Sequence, residues 1–346
     1  MTSSPASAAA REDPRRVGRW LALWAASIVL LVLIGGATRL TESGLSITEW
    51  KPLAGVIPPL TAQAWNDAFT RYQQIPQYAE LQGTMTVVQF KSIFLWEWVH
   101  RLWARLVGVL FALPLLWFWW RGAIPRALRG RLVALLVLMG LQGLMGWYMV
   151  MSGLTQRVNV SQYRLAAHLA LALAIYAGAL WTALDLLSPS TARGVSRRLA
   201  RWLGALAASA FLVMVSGAFV AGLRAGRIYN TFPMMGDRWV PAEYGMLSPW
   251  WRNLFENPSA AQFDHRVLAV SLIVAAIATW WSASRHLGRS TVARRLRWVA
   301  IAAAVQGSLG IFTVVLAVPV PLGVAHQAGA VLLFSALLGA WHAARA

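Results

Sequence analysis

Apolar runs of about 20 residues recur eight times along this chain, and that recurrence leaves few folds open. Each run is long enough to cross roughly 30 Å of hydrocarbon as a helix. In lipid every backbone polar group needs a partner inside the protein, so spanning segments are helices or closed barrels. The runs fall at about 19–38, 93–119, 132–151, 162–186, 200–222, 260–283, 297–318 and 321–342. Of 346 residues, 58% are hydrophobic and only 12% charged, whereas a soluble domain carries about a quarter charged residues. The sequence therefore predicts an all-α polytopic membrane protein with eight transmembrane helices.

The net charge of +19 invites a nucleic-acid reading, but its distribution argues for a membrane and against nucleic acid. Arginines cluster between alternate runs: Arg11, Arg15, Arg16 and Arg19; Arg121, Arg126, Arg129 and Arg131; Arg193, Arg197, Arg198 and Arg201; Arg285, Arg289, Arg294, Arg295 and Arg297. The intervening segment 40–92 is close to neutral, with Lys51, Arg71 and Lys91 against Glu42, Glu49, Asp67 and Glu80. The positive-inside rule places both termini in the cytoplasm and segments 40–92 and 223–259 outside. The start, MTSSPASAAAREDPRR, has no apolar core of a signal peptide, and Glu12 and Asp13 weigh against a mitochondrial transit peptide. The Ala/Arg-rich composition favours a bacterial inner membrane. There is no cysteine, which excludes disulfides, thiolate metal sites, iron–sulfur clusters and covalent haem attachment.

The two halves of the chain align. EWVHRLWA (97–104) matches QFDHRVLA (262–269), LQGLMGWY (141–148) matches VQGSLGIF (305–312), and RLAAHLALA (164–172) matches LGVAHQAGA (322–330). GGA (35–37) corresponds to SGA (216–218). The expected architecture is two tandem four-helix bundles related by a pseudo-two-fold axis along the membrane normal, as in parallel-repeat membrane proteins. The expected units are a cytoplasmic tail 1–18, a first bundle 19–187 with outer loop 40–92, a cytoplasmic linker 188–199, and a second bundle 200–346 with outer loop 223–259.

Four of six histidines lie inside these runs: His100, His168, His265 and His326. Each sits one to two turns from the outer end of an even-numbered helix, so the four share one depth, two per half. His286 and His342 fall at cytoplasmic ends and read as interfacial polar residues. An imidazole pair on facing helices of a bundle can clamp a haem iron from both sides. Helix–helix hydrogen bonding by single histidines is the plain alternative, and a proton relay is another. Neither explains four at matched depth, since ionisable groups within a membrane are costly. Two histidines per bundle make a poor zinc site.

The halves differ in one telling position. Glu97 lies three residues before His100, on the same helix face, and its aligned partner is Gln262, three residues before His265. Glu97 could simply pair with Arg101 one turn on. Arg266, however, follows His265 with only an amide nearby. A carboxylate that the repeat does not require suits a site that moves protons or stabilises positive charge. Arg101, Arg105, Arg164 and Arg266 lie near the outer helix ends, where they could bind acidic cofactor groups or snorkel to lipid headgroups.

GGATRLTESGLSITEWKPLAGVIPP (35–59), EWVHR (97–101), FDHR (263–266) and the histidines of the fourth and eighth helices closely resemble the haem A synthase family, over nearly the whole chain. The lack of cysteine is similar to the proteobacterial and mitochondrial type, without an outer-loop cysteine pair. The resemblance implies oxidation of a methyl group of haem O to a formyl group, by two successive hydroxylations, to give haem A for terminal oxidases. It implies a resident, non-covalent haem b with His265 and His326 as axial ligands, a substrate haem held by His100 and His168, and Glu97 as the catalytic carboxylate. It further implies an electron acceptor and, by pathway logic, a haem O synthase as donor partner. The outer loop 40–92, with Trp50, Trp65 and Pro58–Pro59, could form a lid over the first site or an inert interfacial helix. Whether the chain forms a homo-oligomer is open.

A di-haem b-type electron-transfer cytochrome is the main rival; it predicts two permanent haems and no need for Glu97. A haem-handling protein of cytochrome c assembly is expected to carry a tryptophan-rich outer motif ending in aspartate, which SPWWRNLFEN (248–257) does not match. A transporter fits less well, since no run looks broken at mid-depth.

Overall fold

The computed structural model describes residues 12–49, 54–156, 160–188, 195–288 and 290–345. Arg11, Trp50, Lys51, Arg193 and Arg289 lie outside the described residues. Among the described residues, eight helices are long and apolar enough to cross a membrane. They are α1 (Pro14–Leu40), α2 (Val87–Trp120), α3 (Arg129–Gln156), α4 (Gln162–Leu187), α5 (Arg197–Gly222), α6 (Pro258–His286), α7 (Thr291–Val315) and α8 (Val320–Ala344).

The helix starts follow local chemistry. Asp13 caps α1 by accepting from the Arg16 N–H, with Pro14 at the first helical position. Thr86 and Gln89 form a capping box on α2. Asn257 accepts from the Ser259 and Ala260 N–H groups to open α6, and Ser196 and Ser290 cap α5 and α7. The tail expected at 1–18 therefore gives way to helix at Pro14. The span expected at 297–318 stops at Val315, because Ala317 and Val318 turn into the left-handed region, at φ 57° and 62°. The Val318 N–H bonds back to the Thr313 carbonyl at 2.8 Å, which satisfies a helix-end carbonyl.

In the first half α1 packs on α2 and α4; in the second α5 packs on α6 and α8. Three indoles stitch α1 to α2 by donating to backbone carbonyls: Trp20 to Leu110, Trp24 to Val107, and Trp103 to Ser27, at 2.9–3.0 Å. The halves meet where α4 touches α5, where α1 touches α8 and, to a smaller extent, where α4 touches α8. At the second contact Gly36 lies so close that a Cβ there would fall 1.7 Å from the Gln327 amide oxygen. Small residues of this kind let membrane helices approach closely.

The outer segment after α1 folds into a cap with its own core. A loop helix, Ala62–Gln73, lays Ala68 and Tyr72 against Phe90, Ile93 and Phe94 of α2, with Leu45 and Ile75 completing the cluster. This explains why α2 runs 34 residues, roughly 51 Å at 1.5 Å per residue and well beyond a bilayer's hydrocarbon. Its first two turns belong to the cap.

At the end of the molecule opposite the cap one expectation is corrected. His342 is not interfacial: it is 1% exposed. Its Nε2 lies 2.9 Å from Asp185 of α4, which also meets Arg131 and Arg345 at 2.6 and 3.0 Å. The histidine belongs to a polar cluster joining α3, α4 and α8, whose partners are far apart in sequence. His286 is exposed.

Candidate active site

The four intramembrane histidines all stand near the same end of their helices, and each lies against a glycine of a neighbouring helix. A Cβ on Gly146 would fall 3.2 Å from Cε1 of His168, on Gly217 3.1 Å from Cε1 of His265, and on Gly310 2.9 Å from Cε1 of His326. Gly146 and Gly310 occupy aligned positions of the repeat. Such walls leave no room for any larger side chain behind the ring.

Three of the rings also have a polar neighbour. The Ser216 hydroxyl lies 2.8 Å from both the Val213 carbonyl and Nδ1 of His265. With the hydroxyl hydrogen on the carbonyl, its lone pair can accept from Nδ1–H, the tautomer that leaves Nε2 with its lone pair for a metal. The Gln306 amide lies 3.1 Å from Nδ1 of His326, and the Gln142 amide 3.2 Å from Nδ1 of His168. These glutamines are aligned in the repeat. The sequence flagged both Q-G pairs only as markers of repetition; their place one helix away from a histidine needs the fold.

His100 differs. Its Nε2 edge faces Gly35, where a Cβ would be 3.2 Å away, and no described residue hydrogen-bonds the ring. Gly35 is the position aligned with Ser216. One histidine of the second half thus has a hydroxyl behind it, and its counterpart in the first half has a glycine there.

Glu97 is 2% exposed and densely bonded. One carboxylate oxygen takes Nη2 and Nε of Arg101 at 2.5 and 3.0 Å. The other takes the Ser46 hydroxyl at 2.7 Å and the Ile47 N–H at 2.8 Å. Arg101 also donates to the carbonyls of Ile47 and Glu49. The intrahelical pair that the spacing allowed is therefore formed, and it clamps the outer cap onto the histidine helix. In the second half Gln262 donates to the Tyr229 carbonyl at 3.0 Å, and Arg266 donates to the carbonyls of Tyr229 and Thr231 at 2.7 and 2.8 Å. Both H-R motifs therefore seat an outer loop, but only the first does so through a carboxylate. Arg101 and Arg266 are largely occupied in this way. Arg164 stacks over the Tyr148 ring at 4.7 Å, and its buried Nη1 has no hydrogen-bond partner among the described residues.

Eight apolar helices, four of them with a buried or half-buried histidine against a neighbour's glycine, define the class: a multi-pass helical membrane protein. Among the described residues no cluster of three or more His, Cys, Asp or Glu side chains could hold a metal ion. The chain belongs to the COX15-CtaA family, described as cytochrome oxidase assembly protein, whose model matches residues 18–338. It is similar to the heme A synthase of Parvibaculum lavamentivorans, 46% identical over 326 residues, covering 94% of this chain and 93% of the relative. The heme A synthase of Rhodopseudomonas palustris strain BisA53 is 50% identical over 331 residues, covering 95% and 91%. That of Rhodospirillum centenum is 45% identical over 348 residues, covering 100% and 93%.

Proposed function

We propose that this protein is a haem A synthase, an oxidoreductase that converts a methyl group of haem O to a formyl group and so supplies haem A to a terminal oxidase. What supports the reading most is one arrangement: four imidazoles at one end of even-numbered helices, each against a glycine wall, in a chain closely similar to named heme A synthases. Under it the chain is two pseudo-two-fold-related bundles in a bacterial inner membrane, with both termini cytoplasmic and the histidines toward the outer leaflet. The donor set fits haem. Nitrogen ligands suit iron, the glycine walls let each imidazole seat closely against the neighbouring helix, and Ser216 and Gln306 can orient His265 and His326 as a fixed bis-histidine pair. These two ligands would hold haem b, which supplies one-electron chemistry when bound. His100 and His168 would hold the substrate haem, and Arg164 Nη1 is the best placed donor for one of its carboxylates.

Within the first half the protein's own groups have distinct tasks. The cap excludes water from the outer face of the site. Glu97, held by Ser46, Ile47 and Arg101, places a buried carboxylate one turn from His100, where it can stabilise positive charge or receive a proton at the reacting carbon. Each of the two oxidations replaces a C–H bond of the methyl group by C–OH, with the oxygen supplied by water while two electrons and two protons leave to an external acceptor; the second gives a geminal diol that loses water to leave the formyl group. Haem O reaches the enzyme from a haem O synthase.

Haem extraction and chromatography of the purified protein test the reading. Haem b together with haem O, a hydroxylated form or haem A is expected. Two equivalents of haem b alone would establish the di-haem cytochrome instead.

A further inference from the structure

The two halves differ most in how the third helix of each meets the second. Between residues 136 and 152, α3 buries no side chain, whereas the aligned stretch of α7 buries Ala300, Ala303, Gln306 and Thr313. In the second half a Cβ on Gly307 would fall 3.0 Å from Cδ1 of Ile273 on α6, so that seam is closed by an isoleucine. Counting through the repeat, the aligned pair in the first half is Gly143 and Gly108. Both are glycine, and a Cβ on either would meet nothing within 4 Å.

Glycines on facing membrane helices usually permit the closest approach. Here they face open space, so their small size does not serve contact. The gap has definite limits. At the outer end Leu45 of the cap packs against Gly153 of α3, 2.9 Å from where a Cβ would lie. At the cytoplasmic end Leu132 and Leu135 are buried in the main core. Between them the gap reaches the level of Gln142 and Gly146, the two residues that border His168.

We propose that this seam between α2 and α3 is a lateral passage through which a lipophilic tetrapyrrole moves between the bilayer and the His100–His168 site, and that Gly108 and Gly143 keep it clear. The proposal rests on the first half being the substrate site. It accounts for a contrast that ligand identity alone does not: both halves carry histidine pairs, but only one must exchange its occupant at every turnover. Ile273 closes the corresponding seam over the resident haem.

The test exchanges the seam residues between halves. Full-length protein in liposomes is mixed with vesicles carrying haem O, and uptake is followed by the Soret shift on histidine ligation and by extracted haem content. Gly108→Ile should keep its haem b but take up haem O on the order of tenfold more slowly, as the competent open state becomes rarer. Ile273→Gly should let its haem b exchange with vesicle haem. Wild-type uptake by Gly108→Ile, with haem b retained, overturns the passage; should that variant lose haem b, Gly143→Ile is read in its place by the same criterion. Equal uptake by wild type and His168→Ala places the fault in the substrate-site assignment instead, and the Ile273→Gly arm then decides the seam alone: no exchange there overturns it.

Discussion

Glu97 carries two tasks that a single substitution can separate. Removing a partner from a buried ion pair costs roughly 3–5 kcal/mol, so Glu97→Ala is expected to loosen the cap as well as the chemistry. Glu97→Gln is the sharper variant, because the amide reproduces Gln262, which supports an outer loop without charge. Glu97→Gln should fold, retain haem b and yield no haem A, read by chromatography of extracted haems; normal haem A content would reduce the carboxylate to a clamp. Ser216→Ala should weaken haem retention roughly 10- to 100-fold, the usual cost of losing a ligand's supporting hydrogen bond. It should also shift the midpoint potential upward, since the His265 ring no longer donates its Nδ1 proton to the hydroxyl; an unchanged potential would argue that Ser216 only fills space. The histidines and Glu97 were legible because repetition singles them out. Ser46 and Ile47 were not, because they meet Glu97 across 51 and 50 residues of chain with no periodicity to betray the contact.

The membrane helices announce themselves through apolar length, and all eight lie where the runs place them. What sequence did not reveal were the ends. The first turns of α2, VVQFKS, mix polar and apolar residues and become helical because a capping box starts them and the loop helix covers them. The same contacts lay the loop helix Ala62–Gln73 against the start of α2. Tyr72 is fully buried between Phe90 and Tyr78, with ring centroids 5.2 and 5.8 Å away. Burial, helped by the nearby Glu97 charge, holds its phenol well above the usual range, so the cap gains no ionisable group there at neutral pH. Tyr72→Ala deletes a large buried aromatic, a loss of about 3–5 kcal/mol in comparable cores. The cap should then open: proteolysis of intact spheroplasts should cut within 54–85 much faster than in wild type, while haem b content stays normal. Unchanged cleavage would mean that the cap draws its stability elsewhere.

At the scale of the whole molecule, the repeat in sequence and the packing of helices point to one plan. α1 and α5 each hold two helices of their own half, and the inter-half contacts pair α4 with α5, α1 with α8 and α4 with α8. The departure at α3 was invisible in hydropathy, because α3 and α7 have the same mean value of 1.8 and differ only in what they touch. Orientation is the remaining property of the whole, and arginine placement predicts it: moving clustered Arg side chains across a membrane is costly, so the loops that hold them are expected to stay inside. The absence of cysteine makes this directly measurable. Met246 is 72% exposed in the segment between α5 and α6, and Arg198 is exposed in the first turn of α5. A single cysteine at Met246→Cys should react with a membrane-impermeant maleimide in intact spheroplasts. One at Arg198→Cys should react only after the membrane is broken. The reverse pattern would invert the molecule and put all four histidines, the cap and Glu97 on the cytoplasmic side.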